Sequence, residues 1–521
     1  MPTLNWIGKE AVVNHDKEVP FRLLKKVKAH SVGDNSQNLI IKGDNLEGLK
    51  ALMPYYTEKI KCIYIDPPYN TGNEKWIYND KVNSPKIKKW LGKVVGGESE
   101  DLCRHDKWLC MMYPRLKLLK DLLREDGVIF ISIDDNELSS LLPLMDELFG
   151  KENQINTLIW RKKAGGGNDS KYFAVEHEYV LCYAKNKRLQ ERYWTKLNEK
   201  TLKDYKLKDD NFEKWGFHKT KNLYEPGIDQ NRPNLIYPIE APDGTMIDIS
   251  PGIWRWSREK FDREKNKGKI AFKKDKKTNE WKVFYKLYVN EEGEERKTTP
   301  RTILMDYGMN SEGIKSLKEI FGDKVFDYPK PVGIIKHFID IVTEDKDLIL
   351  DSFAGSGTTG QAVLEINHDD KTNRRFILIE MEDDIAKKIT TERIKKAIEK
   401  YGYKDGFEYC ELDKPLFDEN GQIEETCDFN QFATYIYFTE TQTNIDKKQI
   451  DKNFIGESGE KEYYLIYKEK YKNVLNKSFL SKIKKTKNKK VIYADNCLID
   501  EDILEKFNIQ FKQIPYEVKV Y

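Results

Sequence analysis

The sequence predicts an α/β fold, a doubly wound parallel sheet that an inserted domain interrupts. Two observations support the sheet, and a third supports the insertion. Strand-like and helix-like segments alternate over residues 38–150, and the same alternation returns near residue 325. Between about residues 185 and 300 the chain is instead polar, irregular and rich in turn residues. Strands that alternate with helices of this length are typical of parallel sheets covered by helices.

In the first half of the predicted sheet, short apolar runs indicate buried strands, and apolar residues three and four apart indicate helices. The predicted strands are NLIIKG, IKCIYID and GVIFISID. The predicted helices are DNLEGLKALMPYY, WLCMMYPRLKLLKDLLRED and ELSSLLPLMDELFG. Strand and helix therefore follow one another in the order that a parallel sheet requires.

The second half of the sheet lies beyond the insertion, in PVGIIKHFIDIVT, DLILDSFAGSGTTGQAVLEI and RRFILIEME. After about residue 415, two aromatic runs, ATYIYFTE and EYYLIYK, are predicted to be short strands. They are apolar enough to need burial, against the insertion, against a partner or in a small core of their own. The basic run KIKKTKNKK is interpreted as a solvated loop.

Composition and charge exclude several classes of protein. The chain has 521 residues with 90 Lys and Arg against 87 Asp and Glu, a net charge of +3, so any nucleic-acid face must be local. No apolar run has the length of a membrane span, and the N-terminus lacks the layout of a signal peptide. The seven cysteines form no CxxC pair, the seven histidines form no HxxxH pair, and Asp134 and Asp135 are interpreted as a turn and helix cap. We therefore expect a cytoplasmic protein with reduced thiols and no metal site.

The stretch KCIYIDPPYNTGNEKW places an acid and an aromatic residue around two prolines at the end of a strand. Pro ends strands and Asp starts turns, so a purely structural turn is one interpretation. It does not explain why Asp66 and Tyr69 flank Pro67 and Pro68, the most rigid dipeptide available. The stretch is therefore a candidate functional site.

A second informative stretch is DLILDSFAGSGTTGQAVLEI, in which Asp351 closes a strand. Gly355 and Gly357 permit a tight turn that a ligand can approach closely, although alone they favour a structural turn. The next strand ends in Glu380, which suits the ribose of an adenosine-bearing cofactor. The loop lacks the third glycine of the dinucleotide fingerprint and the GK[ST] of a P-loop, which argues against NAD and ATP. Three hydroxyl residues are predicted to cap the following helix: Ser356, Thr358 and Thr359.

Together the two stretches resemble the S-adenosylmethionine-dependent amino-methyltransferases of DNA. Phe353, Gly355 and Gly357 match the FxGxG cofactor motif of that family, and DPPY matches its catalytic tetrapeptide [DNS]PP[YFW]. The catalytic motif comes first and a long insertion follows it, which resembles the beta class, whose insertion is the target-recognition domain. GDNLEGL, RHDKWLCMMYPRLKLLKDLLREDGVIFISIDDNE and HEYVLCYAKN are similar to Mod subunits of type III restriction–modification systems. The resemblance implies a Rossmann-like methyltransferase sheet.

The resemblance also implies an activity, the transfer of a methyl group from S-adenosyl-L-methionine to N6 of adenine, since Asp stands first in the tetrapeptide. Asp66 and the Pro67 carbonyl would accept hydrogen bonds from the exocyclic amine, whose lone pair is otherwise delocalised into the ring. The target base must be flipped out of the duplex, and Tyr69 would stack on it. This chemistry requires neither a metal nor a covalent intermediate.

The cofactor pocket is assigned by the same resemblance. It places Asp44 near the cofactor adenine, whereas the residues alone indicate a helix N-cap, and the two are compatible. Lys330 and Pro331 begin either the helix that covers the methionine end of the cofactor or a plain amphipathic helix. The full set of predicted cofactor residues is Asp44, Asp351, Phe353, Ala354, Gly355, Gly357, Thr358, Glu380, Lys330 and Pro331.

Three groups of residues are candidate DNA contacts. Asn70, Trp76 and Tyr78 follow the catalytic motif and could contact the flipped base or the space it leaves, or be ordinary surface residues. The Gly-rich stretch WRKKAGGGNDSKY contributes a second group, Arg161, Lys162 and Lys163. Residues 251–300 contain fifteen Lys or Arg and nine Asp or Glu, interleaved with aromatic residues, which suits contacts to phosphates and grooves. The candidates there are Trp254, Arg255, Trp256, Lys273 and Lys274.

Five segments are predicted: an N-terminal arm (1–37), the catalytic half (38–185), a DNA-reading target-recognition domain (186–324), the cofactor-binding half (325–412) and a C-terminal domain for dimerisation or DNA contact (413–521). The resemblance implies a homodimer on double-stranded DNA, with a separate restriction subunit, in a bacterium or archaeon. Two alternatives are a catalytically silent subunit that guides a nuclease and an RNA or protein amino-methyltransferase. The intact motifs argue against the first, and the basic insertion and the leading Asp argue against the second.

Overall fold

A ten-stranded mixed sheet forms the centre of the protein in the computed structural model. The structure describes residues 4–33, 36–71, 85–97, 103–165, 170–227, 232–247, 249, 252–291, 293–417, 423–424, 427–446, 450–469, 472–483 and 486–514. From edge to edge the strands are Arg22–Lys26, Glu408–Pro415, Leu39–Lys42, Arg375–Glu380, Leu348–Asp351, Ile60–Ile65, Leu123–Ile133, His177–Ala184, Gln154–Arg161 and Ile303–Leu304.

The six strands from Glu408–Pro415 to Leu123–Ile133 are parallel, which confirms the predicted doubly wound core. Antiparallel strands flank this core on both sides, at Arg22–Lys26 and at His177–Ala184. The latter pairs in turn with Gln154–Arg161 in an antiparallel arrangement. The purely parallel arrangement therefore holds for the centre of the sheet and not for its edges.

Helices cover both faces of the sheet. Successive side chains of each strand point to opposite faces, so both faces present side chains against which helices pack. Ile63 and Ile65 pack into a core with the helices on one side, while Tyr64 stacks on Phe338 from the other side, with ring centroids 6.1 Å apart. The helices of the first group are Asn45–Tyr56, Arg104–Leu122 and Leu138–Phe149. Those of the second group are Asn310–Phe321, Val332–Val342, Thr358–Asp370 and Glu392–Tyr401.

Short helical segments connect and extend these elements. None of the helices in the described part of the chain is long and apolar enough to cross a membrane. The short segments are Lys9–Val12, His15–Glu18, Lys28–His30, Pro85–Val94, Lys151–Asn153, Lys187–Leu189, Asp383–Ile385 and the π-helical Ala386–Thr391.

Residues 193–300 form a compact unit of their own. Its core contains Leu223, Trp254, Phe261 and Val283, packed under a three-stranded sheet. The strands of this unit are Thr195–Lys196, His218–Asn222, Tyr224–Pro226, Ile239–Glu240, Met246–Ile247, Gly252–Trp254, Ile270–Lys274, Trp281–Tyr288, Asn290–Glu291, Glu294–Glu295 and Lys297–Thr298. Its helices are Glu199–Leu202, Phe212–Trp215, Pro233–Leu235 and Arg258–Asn266.

The C-terminal region has an aromatic core of its own. The strand predicted for ATYIYFTE is wrong, because this run lies in the helix Phe429–Thr441, which a capping box of Asp428 and Gln431 begins. Phe432 and Ile436, four residues apart, are both buried on one face of that helix. The strand predicted for EYYLIYK is confirmed at Lys461–Leu465. Its neighbours are the strands Phe454–Ser458, Val474–Leu475, Lys489–Ala494, Asn496–Cys497 and Ile509–Gln513 and the helices Lys477–Leu480 and Glu501–Lys506.

Candidate active site

The two sequence motifs follow neighbouring strands of the central sheet. Ile60–Ile65 and Leu348–Asp351 pair in parallel, with Ile63 opposite Leu350, so their carboxyl ends lie at the same edge. This edge is where ligands bind in open α/β sheets. One cleft there is lined by both motifs: Tyr64, Asp66, Phe326, Tyr328, Pro329, Lys330, Asp351, Phe353, Ala354, Gly355, Ser356, Thr358 and Thr359.

Asp66 is buried at this edge, 7% exposed, and its carboxylate is fully engaged. The Tyr69 hydroxyl donates to Oδ1 at 2.7 Å. The ammonium of Lys330 donates to Oδ1 at 2.9 Å and to Oδ2 at 2.7 Å. The Pro68 carbonyl accepts the indole N–H of Trp108 at 2.6 Å, which fixes the turn between Asp66 and Tyr69.

Glu178 is a buried carboxylate that the sequence analysis did not select. The Tyr69 hydroxyl oxygen lies 3.1 Å from its Oε2, and Lys162 donates to its Oε1 at 3.1 Å. The ammonium of Lys330 lies 3.4 Å from Oε2. We call Asp66, Tyr69, Lys162, Glu178 and Lys330 the catalytic cluster.

The two acids of the catalytic cluster differ in their pKa values. Burial raises the pKa of Asp66 above its usual range, although Lys330 opposes this effect. Burial also acts on Glu178, yet Lys330 and Lys162 hold the pKa of that carboxyl below its usual range. Burial alone would lower the pKa of Lys330, but Asp66 and Glu178 keep it raised. Lys330 is therefore charged, and its ammonium is shared between the two acids.

Residues 353–359, called the glycine loop here, adopt the tight turn that the sequence predicts. Gly355 has φ of +51° and Gly357 has φ of +78°, a region in which glycine is favoured. The Gly355 N–H donates to Glu380 Oε2 at 2.8 Å, so the acid at the end of the next strand holds the loop. Asp351 accepts the Phe353 N–H at 3.0 Å, and burial raises the pKa of this acid to about 7.

The predicted helix caps in this loop are wrong. Gly357 is the N-cap of the helix Thr358–Asp370, and no side chain caps it. The Thr359 hydroxyl instead donates to Asp351 at 2.5 Å. The Thr358 hydroxyl donates to the Lys330 carbonyl at 3.2 Å, which joins the glycine loop to the catalytic cluster. Ser356 Oγ accepts an N–H of Arg393 at 2.8 Å.

Arg393 is a second residue that the sequence analysis missed. Its buried guanidinium donates to Gln361 Oε1 at 2.8 Å and to Thr358 Oγ1 at 2.7 Å. Burial lowers its pKa to about 9. A single Arg in a helix gives no sequence signal, because its burial depends on the fold.

Asp44 and Pro331 begin helices near this edge. The N-cap interpretation of Asp44 is confirmed, since its side chain accepts the N–H groups of Leu46 at 2.9 Å and Glu47 at 3.2 Å. Pro331 is the N-cap of the helix Val332–Val342. A contact of either residue with a cofactor stays a prediction.

The residues after the catalytic motif are described only in part. Asn70 is buried with φ of +58°, and its amide donates to the Arg104 carbonyl at 3.1 Å and to Glu137. Its place is thus in the turn, and a DNA contact stays a prediction. The predicted DNA contacts Trp76 and Tyr78 lie outside the described residues.

The basic stretch before Glu178 divides between the cluster and the surface. Lys162 belongs to the catalytic cluster, whereas Lys163 is exposed. Arg161 is half-buried and lies 3.7 Å from a carboxylate oxygen of Glu176. Lys163 is therefore the freest of the three for a phosphate contact.

In the unit of residues 193–300, one predicted DNA contact is wrong. Trp254 is 1% exposed, and its indole N–H donates to the Tyr237 carbonyl at 2.7 Å, so it is a core residue. Its neighbour Arg255 is exposed, and the half-buried ring of Trp256 lies under the ammonium of Lys260 at 4.7 Å. Two further candidates are exposed on the strand Ile270–Lys274: Lys273 and Lys274.

Acidic residues elsewhere at this edge have structural contacts. Asp134 accepts the N–H of Asn136 at 2.9 Å, and Asp135 accepts the Tyr179 hydroxyl at 3.0 Å. Among the described residues, no group of three or more His, Cys, Asp or Glu could hold a metal ion.

Comparison with known proteins agrees with this arrangement. The sequence model of the DNA methylase family matches residues 60–392. The EcoPI Mod subunit of a type III restriction–modification enzyme, from Escherichia phage P1, is 34% identical over 424 residues, 74% of this chain and 64% of the relative. The EcoP15I Mod subunit, from Escherichia coli, is 30% identical over 502 residues, 84% of this chain and 75% of the relative. The type II methyltransferase M.KpnI, from Klebsiella pneumoniae, is 30% identical over 380 residues, 68% of this chain and 83% of the relative.

Two solved structures are also similar. A DNA modification methylase from Thermus thermophilus is 15% identical with a TM-score of 0.34, over 72% of this chain and 100% of that chain. The cytosine-N4-specific PvuII DNA methyltransferase is 14% identical with a TM-score of 0.34, over 70% of this chain and 93% of that chain. The sequence relatives, not these structures, carry the assignment.

The chain therefore belongs to the DNA methylase family. Within that family, the similarity to Mod subunits of type III restriction–modification enzymes is confirmed. The chain spans 64% of the length of the EcoPI Mod subunit and 59% of the StyLTI Mod subunit from Salmonella typhimurium.

Proposed function

We propose that this chain is a site-specific DNA methyltransferase that acts on N6 of adenine with S-adenosyl-L-methionine. One observation carries the proposal: Asp66 and the glycine loop line the same cleft at the carboxyl edge of the sheet. An acceptor for an amine and a turn suited to an adenosine cofactor are thus neighbours. The similarity to Mod subunits and the leading Asp of the DPPY tetrapeptide support adenine as the target.

The residues of the cleft fit the cofactor. Positive φ at Gly355 and Gly357 lets main chain approach a ligand closely. Glu380 accepts the N–H groups of Gly355 and Glu382, which fixes its carboxylate beside the glycine loop, where it would accept hydrogen bonds from the ribose hydroxyls. Phe353 and Ala354 would contact the remainder of the cofactor. When bound, S-adenosyl-L-methionine supplies a methyl group activated by its sulfonium.

Asp66 and Pro67 would bind the target amine. Asp66 accepts one N–H and the Pro67 carbonyl accepts the other, which localises the nitrogen lone pair for the new N–C bond. Asp66 would also accept the surplus proton of the methylated amine. Burial raises the pKa of Asp66, which suits a group that takes up this proton. Tyr69 holds the flipped base by stacking.

The relatives also suggest an assembly. The EcoPI and EcoP15I proteins are Mod subunits of type III restriction–modification enzymes. By analogy, the chain would methylate a short asymmetric site as a homodimer, with a separate restriction subunit responsible for cleavage. In such a dimer one subunit reads bases while the other methylates. Light scattering tests the dimer. A protein mass near 61.4 kDa, the mass of one chain, both for the free protein and after subtraction of the bound cognate DNA, would rule the dimer out.

Methylation-aware sequencing tests the activity. The chain is expressed in a host that lacks methylases, beside the Asp66→Ala variant as a control. We expect N6-methyladenine at one short motif with the wild type and none with the variant. Unmodified DNA from the wild type would contradict the proposal, and N4-methylcytosine would contradict the choice of adenine.

A further inference from the structure

Lys330 holds the position that the target amine needs. Its ammonium donates to both carboxylate oxygens of Asp66, at 2.9 and 2.7 Å, and to the Tyr69 hydroxyl at 2.9 Å. An ammonium offers only hydrogen-bond donors, and so do the two N–H bonds of an exocyclic amine. Asp66 Oδ1 already accepts the Tyr69 hydroxyl as well. Lys330 and the target amine therefore compete for the same oxygens of Asp66.

Glu178 offers Lys330 a second place. Its Oε2 lies 3.4 Å from the ammonium of Lys330, within ion-pair distance but beyond a good hydrogen bond. A shift of roughly half an ångström would bring the two atoms to hydrogen-bond distance. A buried ammonium without a counterion costs several kcal/mol, so Lys330 can leave Asp66 only towards another anion. Lys162, 3.1 Å from Oε1, neutralises Glu178 and leaves Oε2 to the Tyr69 hydroxyl and the ammonium of Lys330.

The main chain at Lys330 is held in place, so the side chain is the part that can move. The Lys330 carbonyl accepts the Thr358 hydroxyl at 3.2 Å, and Arg393 donates to that same hydroxyl at 2.7 Å. Pro331 has a fixed φ and begins the helix Val332–Val342. Lysine has a flexible four-carbon stem, so the ammonium can pass between the two carboxylates without a change in the backbone.

We propose that Lys330 is a placeholder for the target amine and that Glu178 receives its ammonium when the base enters, an inference that rests on the function proposed above. In the absence of a base, Lys330 orients Asp66 and balances its charge. When the base enters, one N–H of its amine takes the place of the ammonium on Asp66, and the ammonium moves onto Glu178. Lys330 and Glu178 are thus positioning residues, because both act through Asp66.

The decisive experiment compares Glu178→Gln, Lys330→Met and the double variant on a duplex that carries the motif found by sequencing. In Glu178→Gln the ammonium has no second anion and stays on Asp66. We expect kcat to fall by about 10- to 100-fold, the loss of one charge-assisted hydrogen bond, while the cofactor Kd stays within about twofold. Lys330→Met leaves Asp66 and Glu178 without the cation that they share, so we expect kcat to fall in this variant as well.

The double variant separates the placeholder from independent structural roles. It removes the competing ammonium and the carboxylate that would receive it, so we expect kcat at least about tenfold above that of Glu178→Gln. Independent roles predict losses that add in the double variant. Additive losses would therefore overturn the proposal.

Base flipping supplies a readout that does not depend on turnover. A 2-aminopurine at the target position becomes more fluorescent when it leaves the stack, and S-adenosylhomocysteine can fill the cofactor site during the measurement. We expect less fluorescence with Glu178→Gln than with the wild type, and recovery with the double variant. The matched control is Glu462→Gln, a buried carboxylate of the C-terminal region, which should change neither kcat nor fluorescence.

The two proposals fail in different ways. A wild-type chain that methylates no adenine overturns the proposed function and the placeholder with it. The placeholder alone is overturned if the wild type methylates adenine and Glu178→Gln has the same kcat and the same fluorescence as the wild type.

Discussion

Two neighbouring pairs of buried carboxylates lie at the carboxyl edge of the sheet, and the protein satisfies them in different ways. In the catalytic cluster, Asp66 and Glu178 face the ammonium of Lys330. Behind the glycine loop, Asp351 and Glu380 instead accept hydrogen bonds from backbone N–H groups and a hydroxyl. The first arrangement keeps charged groups ready to exchange partners. The second holds a turn in one shape. We therefore expect variants of the first arrangement to affect turnover and variants of the second to affect cofactor binding.

Asp66→Ala should have the largest effect, because it removes the acceptor for the target amine. We expect a fall in kcat of about 10²–10⁴-fold, the range for a positioned acid or base. The cofactor Kd should change little, since Asp66 does not hold the glycine loop. Turnover is measured by methyl incorporation and affinity by calorimetry. Wild-type turnover in this variant would remove Asp66 from the mechanism.

Gly355→Val and Glu380→Ala should have the opposite pattern. The first puts a side chain on a residue with φ of +51°, and the second removes the acceptor of the Gly355 N–H. Each should raise the cofactor Kd by about 10- to 100-fold, through loss of hydrogen bonds to a charged group or of close approach. Titration calorimetry measures the change. Unchanged affinity in both variants would show that the glycine loop does not bind the cofactor.

Tyr69 variants divide stacking from hydrogen bonding within the catalytic cluster. Tyr69→Ala should weaken the flipped state by about 1–3 kcal/mol, the value of one stacked base. Tyr69→Phe keeps the ring but loses the hydroxyl that donates to Asp66, so we expect a cost of about 1 kcal/mol. Fluorescence of 2-aminopurine reports both. Equal fluorescence in wild type and Tyr69→Ala would exclude the stacking role.

Asp351 should affect stability rather than turnover. Burial raises its pKa from 3.8 to about 7, so the folded state binds more protons than the unfolded state in that window. Stability from this group therefore falls as pH rises from about 4 to 7, by up to about 1.4 kcal/mol per pH unit, and is level above 7.

The control for this effect is Asp351→Asn, which has no titrating group. Thermal midpoints of both proteins are measured at pH 5, 6, 7 and 8. The wild type should lose stability relative to the variant up to pH 7 and then stay level. A constant difference over the whole range would contradict the raised pKa of Asp351.

The sequence predicts the motif-bearing parts of this molecule because each motif residue follows a short buried strand. Asp66, Gly355 and Gly357 are recognisable because DPPY and FxGxG together resemble the motifs of a known family, and the alternation of strands and helices predicts the parallel core. Glu178 and Arg393 are not recognisable in this way. Each is one charged residue in an ordinary segment, and its role depends on what burial places beside it.

Two of the wrong predictions rest on aromatic residues. The run ATYIYFTE suits a strand by composition, but a capping box and burial of Phe432 and Ile436 make it a helix. The basic neighbours of Trp254 favour a DNA contact, but this residue lies in the core of its unit. Residue type does not distinguish a buried aromatic side chain from an exposed one.

The measurement that most directly tests the account is mass spectrometry of nucleosides from DNA treated with the purified chain. The cofactor carries a deuterated methyl group, and the wild type is compared with Asp66→Ala. We predict labelled N6-methyldeoxyadenosine with the wild type and at least about 100-fold slower formation of it with the variant. Formation at the wild-type rate in the variant, or no labelled adenine in the wild type, would contradict the role of Asp66 as the acceptor for an adenine amine.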